Sequence, residues 1–274
     1  MKHLNHRTKS ICWLTTLAII FSLIYIAGLC IPDDAIHTSF LNAKRPPSLE
    51  YLFGTDALGR DLFLRTVKGL STSITIGLIA SLISAVIAAL IGILAAIGSK
   101  RVDALINWMI DLMMSVPHTI LIILISFAFG CGLKGLLIGI AATHWCSLAR
   151  LIRAEVLQLR SEPYVAISRK LGKSSSWILV NHLLPHLMPQ FIVGLILMFP
   201  HAILHEASVS FLGFGLAPEQ AAIGIILAES MHYLSIGMWW PALLPGMVLV
   251  LIVLLIDKIG DCLRTILDPY TAQK

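Results

Sequence analysis

The chain has 274 residues, of which 57% are hydrophobic and only 13% charged, with a mean hydropathy of +0.87. Soluble domains average about 25% charged residues, so this balance excludes an ordinary water-soluble enzyme or nucleic-acid-binding domain and indicates a polytopic membrane protein of one domain. The net charge of +5 then reflects how Lys and Arg divide between two membrane faces; it is not a footprint for nucleic acid.

Apolar runs approaching the ~20 residues that cross a bilayer occupy residues 11–31, 74–97, 105–128, 136–148, 184–207 and 243–256. These predict an all-α protein of six transmembrane helices, because hydrocarbon cannot satisfy an open backbone. The first run follows Lys2, Arg7 and Lys9, as in a signal peptide. It is too long for a signal core and has no small-residue cleavage site before Pro32, so it is predicted to remain as a helix.

After it comes a polar stretch with Leu52, Phe53, Gly54, Thr55, Asp56, Gly59, Arg60, Asp61 and Arg65. It alternates turn residues with both charge signs, so Asp56, Arg60, Asp61 and Arg65 are predicted to tie one another into a folded cap. The third run holds Asp111, an intramembrane carboxylate for which a partner is expected, and Pro117, which should kink the helix. Arg150 and Arg153 leave the fourth run on the same side, and one of them is expected to pair with Asp111. The fourth and sixth runs look short, and their helices are expected to continue beyond the apolar stretch.

Residues 164–185, YVAISRKLGKSSSWILVNHLLP, form a basic insert between the fourth and fifth runs. Ser161 is expected to cap a short helix with Pro163 in its first turn. Tyr164, Ile167, Ser168 and Leu171 share one face of it. Gly172 should end that helix and Ser174 should cap a second one. The result is a compact knob suited to a groove on a partner. Gly172-Lys173-Ser174 mimics the end of a phosphate-binding loop, but position 167 is Ile where that motif needs Gly, so nucleotide binding is rejected.

With the N-terminus inside, the inner segments carry most of the 20 Lys and Arg residues, and residues 208–239 carry none. The positive-inside rule therefore predicts cytoplasmic N- and C-termini and a cytoplasmic knob. The five cysteines have no zinc-like or framework spacing. Cys30 and Cys131 both fall near the outer face, within reach of a bridge, but small packing residues are the preferred reading.

The insert resembles the cytoplasmic EAA coupling loop of ABC-importer permeases. That pattern is EAA, three residues, Gly, nine residues, Ile, one residue, Leu-Pro. Gly172, Leu184 and Pro185 match it, whereas Ala166, Ile167 and Ser168 replace EAA and His182 replaces Ile. "LFGTDxxGRDxxxR" at 52–65, Ser210 to Gly215, Gly260 to Arg264 and Leu267-Asp268-Pro269 resemble motifs of the second permease of dipeptide, oligopeptide and nickel importers. The resemblance implies a type I importer permease fold with a homologous second permease, two ATPase subunits and an extracytoplasmic solute-binding protein. It implies a multi-pass protein of the bacterial inner membrane with no cofactor or catalytic residue of its own, ATP being used by the partners. ATPase coupling then falls to Tyr164, Ala166, Ile167, Gly172, Leu184 and Pro185. The expected division is 1–70 for the first helix and extracytoplasmic loop, 71–262 for a five-helix core with the coupling loop at 161–185, and 263–274 for a tail.

The cargo reading rests on histidines. His201 and His205 are four apart and so lie on one helix face, while His144 lies in the fourth run beside Trp145. Imidazole pairs at this spacing suit nickel, copper or zinc, and "THW" and "HAILH" resemble stretches of nickel-importer permeases. His144, His201 and His205 are therefore expected to line a path for nickel or a nickel chelate, with Glu206 beside them. Histidines in spans also serve as hydrogen-bonding glue, and on that reading the chain is a peptide-importer permease. His118, His182 and His186 are expected to be structural, and His232 is left open. An ion channel or secondary carrier would need charges deep in several spans, and a membrane enzyme would need a catalytic constellation the sequence lacks.

Overall fold

In the computed structural model, residues 6–267 are described, and their regular structure is helical apart from one bridge between Thr55 and Asp61. In chain order the helices are α1 (His6–Cys30), α2 (Leu62–Ile97), α3 (Lys100–Ser115), α4 (His118–Ala128), α5 (Gly132–Ser161), α6 (Pro163–Lys170), α7 (Ser175–Ile178), α8 (Leu184–Phe211), α9 (Ile223–Leu234) and α10 (Trp240–Leu267). A short π-turn (Leu179–Leu183) joins α7 to α8 without a break. Five of the helical stretches are long and apolar enough to cross a membrane, and α3 with α4 would supply a sixth.

That sixth span departs from expectation. The run at 105–128 is two helices bent by 98°, more than the kink expected at Pro117. The residue before a proline is pushed out of helical geometry, and Val116 sits at φ −93°, ψ 137°. α2 begins at Leu62, well before the expected 74, because Asp61 caps it by accepting from Phe63 N at 2.8 Å and Leu64 N at 3.2 Å. The division expected at residue 70 thus falls inside one helix, and the tail beyond Leu267, with Asp268 and Pro269, lies outside the described residues. α5 and α10 extend past their apolar cores, as expected. The segment at 208–239 contains a helix, α9, that was not anticipated. The cysteines among the described residues are free thiols.

α2 is the hub and packs on α1, α5, α8 and α9. Lipid tails give helices no hydrophobic reason to associate, so close approach at small residues must do it. A Cβ on Gly77 would stand 2.6 Å from Ile203 Cγ1, and one on Gly92 would stand 2.6 Å from the Ala149 carbonyl. Ser84 closes the same seam by donating to the Ala141 carbonyl at 2.8 Å.

The "SFLGFG" stretch is a brace between the end of α8 and the α4–α5 hairpin. Ser126 Oγ donates to the Phe214 carbonyl at 3.2 Å, and Gly132 N donates to the Gly215 carbonyl at 2.9 Å.

Candidate functional site

A cavity of about 730 Å³ lies where the α3–α4 corner meets α5 and α8, and it is open to the outside of the chain. Its wall carries His118, His144, His201 and His205 together with Met113 and Met198. The 98° turn at Val116–Pro117 places His118, the first residue of α4, in that wall. His118 Nε2 lies 3.1 Å from His144 Nδ1. The ring centroids of His118, His144 and His205 are 4.5, 4.7 and 5.0 Å apart. One nitrogen from each can be chosen so that all lie within 4.8 Å of one another.

The structure thus brings His144 and His205 together as part of one cluster. It adds His118, expected to be structural, in place of His201. His201 lines the same cavity one turn along α8 but is not in the close trio. Neighbouring positions on a helix point about 100° apart, so Glu206 turns away from the cavity. It is fully buried and accepts from Ser210 Oγ at 2.9 Å.

His144 is 9% exposed. Its Nδ1 also lies 3.1 Å from the Ile140 carbonyl, and its buried Nε2 has no hydrogen-bond partner.

At one end of the bundle the cap is folded, and the motif residues hold it. Thr55 is buried, donating to the Asn42 carbonyl at 2.5 Å and accepting from Arg45 N at 2.8 Å. Gly54 and Gly59 take φ of +73° and +75°, and a Cβ on Gly59 would stand 1.8 Å from the Ser39 carbonyl. Asp56 Oδ2 accepts from Arg60 Nε at 2.6 Å and from buried Arg65 at 3.2 Å. Asp61 is spent on the helix cap, so the fourth member of the cluster is Glu229 of α9. Its Oε1 accepts from Arg65 at 2.8 Å and its Oε2 from Arg60 at 3.1 Å.

At the other end stands the knob. α5 runs through Ser161, whose hydroxyl donates back to the Gln158 carbonyl, so Ser161 is not the expected cap; Glu162 precedes Pro163 at the start of α6. Gly172 sits at φ +78°, with Gly172 N donating to the Arg169 carbonyl at 3.0 Å and Lys173 N to the Ser168 carbonyl at 3.1 Å. That is the Schellman ending of a helix. Ser174 Oγ then accepts from Trp177 N at 3.2 Å and caps α7. The decoy Gly172-Lys173-Ser174 is therefore one helix stop followed by one helix start. Val165 is buried and Tyr164 half-buried, while Ala166 faces out with Ile167 and Leu171, which are 57% and 74% exposed. Leu184 and Pro185 open α8.

Between these ends Arg150 pairs with Asp111. Arg153, the other expected candidate, holds Asp103 instead, through a fork at 2.5 and 2.6 Å. Both pairs fasten α3 to α5.

Residues 88–273 match the family model described as binding-protein-dependent transport system inner membrane component. A putative peptide transport system permease protein of Brucella suis is 41% identical over 232 residues, covering 85% of this chain and 78% of that protein. The dipeptide transport system permease protein DppC of Bacillus subtilis is 30% identical over 268 residues, covering 98% of this chain and 84% of its own length. The oligopeptide permease OppC of the same organism is 34% identical over 236 residues, covering 86% and 77%. Among solved structures, an inward-facing form of the MetNI methionine ABC transporter superposes with a TM-score of 0.63 at 18% identity, covering 76% of this chain and 98% of that one. The shared fold is that of a type I ABC importer permease.

Proposed function

The chain belongs to the family of inner membrane components of binding-protein-dependent transport systems, and from that premise we propose that it is one of two permease subunits of an ATP-driven importer of peptides. The cavity of about 730 Å³ in the bundle wall has room for such a cargo. Such a volume falls within the range that holds a small organic molecule, a peptide or a nickel chelate alike. The named relatives are peptide permeases, so peptide takes precedence over the nickel cargo expected from the histidines alone.

In this reading the end bearing the knob is cytoplasmic, as are both termini. Ile167 and Leu171 are apolar and exposed on an element that faces water, and a groove on an ATPase subunit would cover them. ATP is bound and hydrolysed by that partner. The folded cap faces a solute-binding protein on the outer side, and a homologous permease completes the path.

Uptake of labelled di- and oligopeptides, measured in cells expressing the full transporter and in cells lacking this chain, tests the proposal. Saturable peptide entry that requires the chain is expected. Absence of peptide entry, with the transporter correctly assembled, would overturn it.

A further inference from the structure

We propose that His118, His144 and His205 form a site for a divalent transition-metal ion in the cavity wall, with the remaining coordination position turned to the cavity. No residue among the exposed loops contributes to it; the three imidazoles come from three helices, α4, α5 and α8.

Three features carry the site. The first is donor type and spacing. Neutral imidazole is a good ligand for nickel, copper and zinc, and a tetrahedral ion at 2.0–2.1 Å from each nitrogen sets the nitrogens about 3.3 Å apart. One nitrogen from each of the three rings already lies within 4.8 Å of the others, and the His118 and His144 rings are in direct contact, with centroids 4.5 Å apart. Reaching the spacing an ion sets requires the side chains to rotate on binding.

The second is an unmet need. Nδ1 of His144 reaches both the Ile140 carbonyl and His118 Nε2 at 3.1 Å. If Nδ1 carries the hydrogen, the lone pair falls on Nε2. If His118 donates instead, Nε2 carries a hydrogen with nothing to accept it. In either tautomer a buried ring nitrogen is left unpaired, which costs about 1–3 kcal/mol. An ion bound at Nε2, with the Nδ1 hydrogen kept on the Ile140 carbonyl, removes that deficit. A backbone carbonyl on one imidazole nitrogen is also the usual support for a metal-binding histidine.

The third is the surroundings. Met113 and Met198 line the same cavity and add soft thioethers that a thiophilic ion tolerates. Three protein ligands with an open fourth position is how a metal is held when another ligand must come and go. A peptide in the cavity can supply that ligand through its amino terminus or a side chain. This last step rests on the peptide reading, whereas the three-histidine site does not.

The full-length, tag-free chain in lipid nanodiscs is titrated with Co²⁺, read by its visible absorption, and with Ni²⁺, read by retained metal after desalting. One ion per chain is expected, with the absorption of a four-coordinate cobalt centre. His118→Ala, His144→Ala and His205→Ala should each weaken binding by more than the ~10-fold that loss of a supporting group costs, and His201→Ala should weaken it less. Wild-type protein that retains no metal, or retention unchanged in the triple variant, would overturn the site. Peptide uptake is measured alongside. Metal bound without peptide uptake would leave the site standing and sink the proposed cargo; peptide uptake without metal binding would do the reverse.

Discussion

Ser168 Oγ lies 2.9 Å from His182 Nε2, bridging the short helix of the knob to the π-turn that leads into α8. Both residues stand where the coupling-loop pattern has other types, Ala and Ile. The two departures therefore meet in space, as a hydrogen-bonded pair. His182 also meets the rings of Tyr164 and Trp177 with centroids at 5.4 and 5.2 Å.

A double-mutant cycle checks this. Ser168→Ala and His182→Ile should each destabilise the knob by about 1 kcal/mol, by leaving a polar partner unpaired. The double variant should recover most of that loss. The readout is the number of peptides imported per ATP hydrolysed, with thermal stability in nanodiscs as the second measure. Additive losses would show that the pair is not coupled.

Replacing Gly172 probes the backbone alone. No atom lies within 4 Å of where its Cβ would be, so the penalty comes only from φ +78°, roughly 1–2 kcal/mol for a residue with a Cβ. Gly172→Val is expected to let ATP hydrolysis continue while uptake falls, at normal expression. Gly172→Asn should be milder, since Asn tolerates this conformation. Coupled uptake at the wild-type ratio in Gly172→Val would refute the role given to this turn.

Glu229→Gln tests the cap. Arg65 is buried and would keep Asp56 but lose its bidentate carboxylate. Breaking a buried pair costs about 3–5 kcal/mol; Glu229 is partly exposed, so a smaller loss is expected, seen as a lower melting temperature. Lys68→Ala, whose partner Asp33 is almost fully exposed, should change stability little.

Gly92→Val and Gly246→Ala make a contrasting pair. At Gly92 the new Cβ would collide with the Ala149 backbone, whereas at Gly246 it meets only Leu227 Cδ2 at 3.7 Å. The first should prevent α2 and α5 from closing and reduce the folded fraction in membranes. The second should be neutral or slightly stabilising, since Ala outranks Gly in a helix by up to about 1 kcal/mol. Size-exclusion profiles of the purified variants distinguish the two outcomes.

The spans and the glycine turn could be read from the sequence because they follow local rules: apolar length, Pro at a helix start, Gly past a helix end. His118 could not, because its place depends on how far the chain turns at Val116–Pro117. Hydropathy shows a single run there, and a histidine next to a proline looks like a boundary residue. The available signal was that His118 opens a helix whose direction the proline has just reset. Glu229 was hidden for another reason. Asp56 and Asp61 appeared to balance Arg60 and Arg65, but Asp61 serves as a helix cap, which leaves the arginines in search of another acid. A lone carboxylate within the apolar segment Ile223–Leu234 was the mark of it. Arg150 and Arg153 were both legible as partners of α3, yet only the packing decides which takes Asp111 and which takes Asp103.

From Ser175 to Phe211 the backbone is helical without interruption for 37 residues, about 55 Å at 1.5 Å per residue. The knob sits on one end of this rod, and His201 and His205 sit near the other. No loop lies between them, so under the proposed function a push on the knob would be carried to the cavity wall through this one shaft. The rod can bend where its hydrogen-bond ladder is interrupted: at Pro189 and Pro200, which have no N–H to donate, and at the π-turn at 179–183, within which His182 lies.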